Sequence, residues 1–163
     1  GETINHSGKF FELSEASIDP LPVQDPLELW FGGALKGALR RVGQIGDGYI
    51  PGLSTPDEGA KKKALVEEAA QEFDRTIDPE HFGVNLTYSR GPLAEAARDA
   101  LIQRRPDVDP HQLVPSSPDA LSELIDAWIE AGYSKFLLRP AMPPTNWTQE
   151  LEHLASEVLG RQT

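Results

Sequence analysis

Short apolar stretches alternate with longer amphipathic patterns from residue 27 onward, and this alternation restricts the chain to an α/β fold with a parallel sheet. The first stretch, Leu27-Glu28-Leu29-Trp30-Phe31, is stopped by Gly32-Gly33. Leu35, Ala38, Leu39, Val42 and Ile45 then recur at the spacing of one buried helical face. Gly46 to Gly52 reads as a short strand with glycine on both sides. Thr55-Pro56-Asp57-Glu58 follows as N-cap, first-position proline and capping-box glutamate, opening a long amphipathic helix that runs to about Thr76. A third unit pairs a strand at His81–Tyr88 with a helix carrying Leu93, Ala96, Ala97, Ala100 and Leu101. The proline-rich stretch Arg105–Ser117 reads as loop. Ser117-Pro118 opens a helix whose Leu121, Leu124, Ile125, Trp128 and Ile129 form one stripe, and Gly132 closes it. The fourth strand, Ser134–Arg139, is stopped by Pro140, and the last helix sets Trp147, Leu151, Leu154 and Val158 on one side. Residues 1–26 stand apart: after Phe10, Phe11 and Leu13 come Pro20, Pro22 and Pro26, which suit an extended or hairpin arm across the end of a sheet. Residues 1–163 thus read as a single domain, with this arm followed by four βα units over 27–163.

Composition narrows the partners. At 163 residues the chain lies within the usual size of one compact domain. With 26 acidic against 15 basic side chains and a net charge of −11, it lacks the clustered cations that hold a phosphate backbone, so nucleic acid is disfavoured. The absence of cysteine removes disulfides, thiolate metal sites and thiol nucleophiles together. Apolar runs of a few residues do not span a bilayer, so no membrane partner is expected. The chain opens on Gly1 without a charged and apolar leader, which leaves either a processed start or a piece of something longer.

In parallel α/β sheets ligands lie beyond the carboxyl ends of the strands, so chemistry is sought at Phe31-Gly32-Gly33-Ala34, Ile50-Pro51-Gly52, Thr87-Tyr88-Ser89-Arg90 and Leu138-Arg139-Pro140. Two glycines between a strand and a helix allow backbone N–H groups to approach a phosphate at the electropositive helix start. The same dipeptide also makes an ordinary tight turn. Arg139 could contact substrate or phosphate, or pair with a nearby carboxylate. Ser89 has no His or Asp at a spacing that would make it a nucleophile. His6, His81, His111 and His153 are scattered, so no metal site is expected. Lys61-Lys62-Lys63 reads as a solvated helix face, Asp47 as a turn former, and Asn85-Leu86-Thr87 and Asn146-Trp147-Thr148 as glycosylation sequons without meaning in a cytosolic protein.

The order of these features resembles the luciferase-like monooxygenase family. Its members read P-x-P-V-Q-x-P, W-x-G-G, A-L-R-R and A/G-D-G-W/Y in sequence. The corresponding segments here are Pro20–Pro26, Trp30–Gly33, Ala38–Val42 and Gly46–Tyr49. Ile77–Val84, Arg104–Val114 and Ser134–Pro140 are similar to the actinobacterial branch of oxidoreductases that use the deazaflavin coenzyme F-420. The resemblance implies a TIM (β/α)8 barrel that binds F-420, or alternatively FMN, at the carboxyl ends of its strands. By that resemblance Phe31, Gly32, Gly33 and Ala34 adjoin the cofactor, as do Pro51 and Gly52. Tyr88 and Arg139 would reach the mouth of the site. No catalytic residue carries over.

A barrel of this kind needs eight strands and roughly 250 residues. Four strands correspond to the carboxyl-terminal half-barrel only. Left open, that half would expose two hydrogen-bonding edges and the residues that fill a closed barrel, so a homodimer or a missing amino-terminal half-barrel is expected to cover them. Two functions follow from the resemblance. One is the carboxyl-terminal part of a cytoplasmic oxidoreductase that moves a hydride between its cofactor and an organic substrate, the segment by itself being inactive. The alternative is a non-catalytic half-barrel module that dimerises and binds a flavin or an apolar ligand.

Overall fold

The computed structural model describes residues 1–161, and its elements follow the alternation read above. The arm forms a hairpin: β1 (Ile4–Ser7) pairs antiparallel with β2 (Glu12–Ala16) in the register Ile4 to Ala16 and Ser7 to Glu12. It lies away from the core, with Phe10 80% and Phe11 76% exposed. Next come β3 (Trp30–Gly32), α1 (Lys36–Ile45), β4 (Gly48–Ile50) and α2 (Pro56–Gln71). A 3-10 turn at Pro79–His81 leads into β5 (Gly83–Tyr88) and α3 (Glu95–Arg104). The remainder is α4 (Pro110–Leu113), α5 (Pro118–Glu130), β6 (Lys135–Pro140), α6 (Trp147–Val158) and a 3-10 turn at Leu159–Arg161.

The strands differ from the expected set of four. Among the described residues six strands form three two-stranded pairings: β1 with β2, β3 with β4 in parallel, and β5 with β6 in parallel. Among the described residues the β-ladder link between the two parallel pairs is a single parallel bridge between Tyr49 and Phe82. β4 ends directly before Pro51, which has no N–H to extend a ladder. β3 is also shorter than its apolar run. The Leu29 N–H donates to Asp47 Oδ2 at 2.9 Å and the Leu29 carbonyl accepts from the Asp47 N–H at 2.8 Å, so the turn before β4 occupies these groups and pairing starts at Trp30. Asp47 is thus the turn former its flanking glycines suggest.

Local chemistry sets the helix boundaries. The Glu58 N–H donates to Thr55 Oγ1 and the Thr55 N–H to Glu58 Oε2, completing the capping box of α2. That helix stops at Gln71 rather than near Thr76, because the chain reverses through Asp74 at φ 53° and the Arg75 N–H donates to the Ala70 carbonyl. The stretch read as loop holds the short α4, started by Asp109 accepting from the His111 N–H with Pro110 at its first position. Gly132 closes α5 in the left-handed region, at φ 85°.

The core lies between the parallel strands and the helices. Leu39 and Val42 of α1, Val66 and Ala70 of α2, and Leu121, Ile125 and Trp128 of α5 close on Tyr49, Phe82, Val84, Leu86 and Tyr88. Tyr133 meets the Trp128 ring edge-on at 4.8 Å and Phe82 at 6.1 Å, contacts worth roughly 1 kcal/mol each beyond their burial. Helix α3 contributes no buried residue, and Trp147 and Leu151 of α6 remain exposed although Leu154 and Val158 reach the core. On the opposite side of the strands, Gly48 and Gly83 flank the Trp30 indole. A Cβ at Gly48 would overlap that ring, and one at Gly83 would stand 3.3 Å from it.

Candidate functional site

Alternation along β5 decides which side chains can meet a ligand. Val84, Leu86 and Tyr88 turn toward the helices and are buried, which leaves Asn85 and Thr87 on the other face. Parallel register sets Thr87 beside Arg139 and Asn85 beside Leu137 of β6. Leu137 is 51% exposed there. Beyond the carboxyl ends of these strands lies a cleft of about 540 Å³. Ile50, Pro51 and Gly52 form one wall, Asn85, Thr87 and Arg139 the floor, and Ala97, Leu101 and Arg104 of α3 the roof. Around Gly52 there is open space within 4 Å of where a Cβ would stand, so the backbone itself faces the opening.

The roof is held at its carboxyl end by Arg105. Its guanidinium donates to the Leu53 carbonyl at 2.7 Å, to Glu58 Oε1 at 2.7 Å and to Asp107 Oδ2 at 2.9 Å. One side chain thereby ties the loop after β4 and the start of α2 to the end of α3. Burial would raise the Glu58 carboxyl, but the Thr55 N–H and the Arg105 guanidinium outweigh it and hold the group below the usual glutamate range.

The first junction is built differently. Phe31 packs against the core, and Gly33 takes φ 123°, where a Cβ would stand 2.8 Å from the Ala38 Cβ. The Tyr49 hydroxyl donates to the Gly33 carbonyl at 2.7 Å. Burial pushes that hydroxyl up to about 12. Helix α1 then begins with Leu35 as N-cap, without a side-chain acceptor and without an acidic residue in the first turn. Its leading N–H groups are free of side-chain caps, unlike those of α2, α4, α5 and α6.

Tyr88 and Arg139 do not share one opening. Tyr88 is turned toward α6, where its hydroxyl donates to Glu150 Oε1 at 2.6 Å and its ring lies under the Arg90 guanidinium at 5.4 Å. Arg90 donates to Glu150 at 2.8 Å and to both oxygens of Glu157, fastening α6 to the end of β5. Arg90 and Tyr88 hold the Glu150 carboxyl below its usual range. A smaller cavity of about 250 Å³ lies beside Tyr88, Met142 and Glu150.

Of the residues singled out in the sequence, Pro51, Gly52 and Arg139 come together in the larger cleft, while Phe31, Gly32, Gly33 and Ala34 form the neighbouring turn. Asn85, Thr87, Arg104 and Arg105 were not singled out from the sequence, Thr87 entering as the first residue of the third junction. The strict alternation of Val84-Asn85-Leu86-Thr87-Tyr88 carried the signal for the first two, obscured by the match to a sequon. The lysine run is more engaged than a solvated face: Lys62 donates to Ser54 Oγ at 2.6 Å, and Lys63 pairs with Glu67 and lies 4.5 Å over the Phe82 ring.

In parallel α/β folds ligands bind in clefts across the carboxyl ends of the strands, and this chain has a cleft in that place. Residues 1–137 match the luciferase-like monooxygenase family, and the chain belongs to it. Similar solved structures include an F-420-dependent secondary alcohol dehydrogenase in complex with an F-420–acetone adduct, at 17% identity and TM-score 0.68 over 99% of this chain and 56% of that one. The coenzyme F-420-dependent tetrahydromethanopterin reductase from Methanopyrus kandleri aligns at 15% identity and TM-score 0.68, over 100% of this chain and 59% of the other. A type II Baeyer-Villiger monooxygenase of Pseudomonas putida, the oxygenating constituent of 3,6-diketocamphane monooxygenase solved with FMN, gives 19% identity and TM-score 0.61 over 99% and 59%. The chain therefore spans under two thirds of the length of each of these structures. Among the described residues no helix is long and apolar enough to cross a membrane, and no three His, Asp or Glu side chains gather as for a metal ion.

Proposed function

We propose that the chain supplies the carboxyl-terminal half of a (β/α)8-barrel oxidoreductase that transfers a hydride between a bound cofactor, F-420 or FMN, and a small organic substrate. The observation that carries this reading is the cleft of about 540 Å³ across the carboxyl ends of β4, β5 and β6. Its lining suits such a cofactor, since Gly52 lets the backbone face the ligand, Ile50 and Leu101 offer apolar surface, and no carboxylate lines it to repel an anion. When bound, the flavin or deazaflavin ring supplies the hydride chemistry. The chain's own part is to bind and orient. The uncapped first turn of α1, beyond Gly32 and Gly33, can take a phosphate group, while Pro51 and Gly52 shape the wall and Arg139 stands at the mouth.

The non-catalytic alternative has one observation in its favour: no aspartate, glutamate, histidine or tyrosine lines the larger cleft, so no side chain there acts as a general acid or base. Titration with F-420 and with FMN, read by bound absorbance, and turnover of simple alcohols by the chain assembled with an amino-terminal half-barrel, separate the two. Cofactor binding without turnover in that assembled barrel supports a binding module, and no binding to either cofactor overturns the oxidoreductase reading. The open strands also call for a cover, either a second copy or an amino-terminal half-barrel. Light scattering is expected to give a particle above 17.9 kDa, and a monodisperse monomer would contradict the open-barrel reading.

A further inference from the structure

We propose that Arg104 and Arg139 together form an oxyanion-binding subsite in the cleft, which takes a phosphate or carboxylate group of a small organic ligand. Both residues line the same cleft, one from the end of α3 and the other from the end of β6. Neither forms an ion pair among the described residues, although acidic groups outnumber basic ones 26 to 15 and six of the seven other arginines, all but Arg41, each find a carboxylate. The cleft excludes that neutralisation because its lining holds no Asp or Glu, whereas its polar groups besides the arginines are the neutral Asn85 and Thr87. In a chain of net charge −11, two cations facing a carboxylate-free cavity make a local positive site that an anion can enter. Thr87 stands beside Arg139 in the parallel register, so its hydroxyl is placed to add a hydrogen bond to the same group. Leu93, Ala97 and Leu101 supply apolar surface for the ligand's uncharged part. The α3 segment that carries Arg104 is clamped at its end by Arg105, which ties it to Leu53 and Glu58 beside the same cleft.

The subsite deepens the cofactor-and-substrate reading of the same cleft and rests on it. The anion has two sources, the substrate or the cofactor's own tail, and the test separates them. Amide chemical shifts are followed while inorganic phosphate, FMN, riboflavin or F-420 is added at low salt to the unaltered chain, to Arg104→Gln, Arg139→Gln and the double variant, and to Lys61→Gln on the exposed face of α2 as a charge control. Millimolar phosphate is expected to move the Gly52, Asn85, Thr87 and Ala141 amides. The double variant should weaken its binding about tenfold while Lys61→Gln leaves it unchanged. Phosphate binding lost in the double variant, with FMN preferred over riboflavin equally in both proteins, assigns the subsite to a substrate anion. Loss of the FMN preference in the double variant assigns it to the cofactor. Phosphate binding at the arginines with no affinity for either flavin or for F-420 upholds the subsite and overturns the oxidoreductase reading. Phosphate that leaves these amides unmoved, or binds the double variant as well as the unaltered chain, overturns the subsite even where FMN binds.

Discussion

The Tyr49 hydroxyl reaches across from β4 to the Gly33 carbonyl at 2.7 Å, so a core side chain of one strand fixes the turn that follows its neighbour. Tyr49→Phe keeps the ring in the core and removes only this bond. A loss of about 1 kcal/mol is expected in a urea unfolding curve. If the turn holds the cofactor's phosphate, FMN affinity falls in the same variant while riboflavin affinity does not.

Alkaline pH is expected to destabilise the fold through the same residue. Burial raises the Tyr49 hydroxyl to about 12, and burial also raises Tyr133 and, joined by the Glu150 carboxylate, Tyr88. An unfolded tyrosine ionises near 10, so the stabilising contribution is complete below that value and declines as pH climbs toward the folded value. Absorbance at ~295 nm should show the tyrosines of the folded chain ionising later than those of the unfolded chain. Coincident titration of both would refute the burial argument.

Gly43 allows α1 and α2 to touch through their backbones. A Cβ there would stand 2.5 Å from the Ala70 nitrogen and 2.6 Å from the Ala69 carbonyl carbon, and neither can yield without separating the helices. Gly43→Ala is therefore expected to cost about 3 kcal/mol, against a gain of under about 1 kcal/mol from helix propensity. The equivalent change at the unobstructed Gly37 should leave stability the same or better.

Acid should loosen α6. The Glu150 carboxyl is held down by Arg90 and Tyr88, so its contribution is present above the ordinary glutamate value of 4.5 and is lost as pH falls through the lower folded value. Glu150→Gln leaves Arg90 partly unpaired, and we expect a loss of about 2 kcal/mol at neutral pH together with a flatter acid limb of the stability curve. An unchanged acid limb would assign the acid sensitivity to other carboxylates.

Helix α3 buries no residue, whereas α5 buries Leu121, Ile125 and Trp128. Amides of α3 are expected to exchange with deuterium at least about tenfold faster than those of α5. Arg105→Gln, which releases the clamp on Leu53 and Glu58, should widen that gap without altering α5.

Much of this molecule was legible in one dimension because the causes are local. Thr55 and Glu58 cap α2 wherever the rest of the chain goes, and the stripe of α5 appears in its spacing alone. The order of the motifs at Trp30–Gly33 and Gly46–Tyr49 likewise marked the family that residues 1–137 match. Local signals failed where a distant group intervened. Asp47 occupies Leu29 and shortens β3, and Asp74 turns α2 away before Thr76.

The candidate site lies mostly in that second category. Glycines and the strand-ending Arg139 could be marked as lying near strand ends, but that Arg104, at the end of α3, lines the same cleft as Arg139 is a matter of tertiary packing. Tyr88 and Thr87, adjacent in the chain, serve opposite faces because a strand alternates its side chains, and which face meets the helices depends on the core they pack against. Composition and spacing settled the kinds of element and their order. Long-range packing settled which side chains meet across the opening, since convergence of charges far apart in the chain depends on the closed path of the backbone and leaves no trace in sequence spacing.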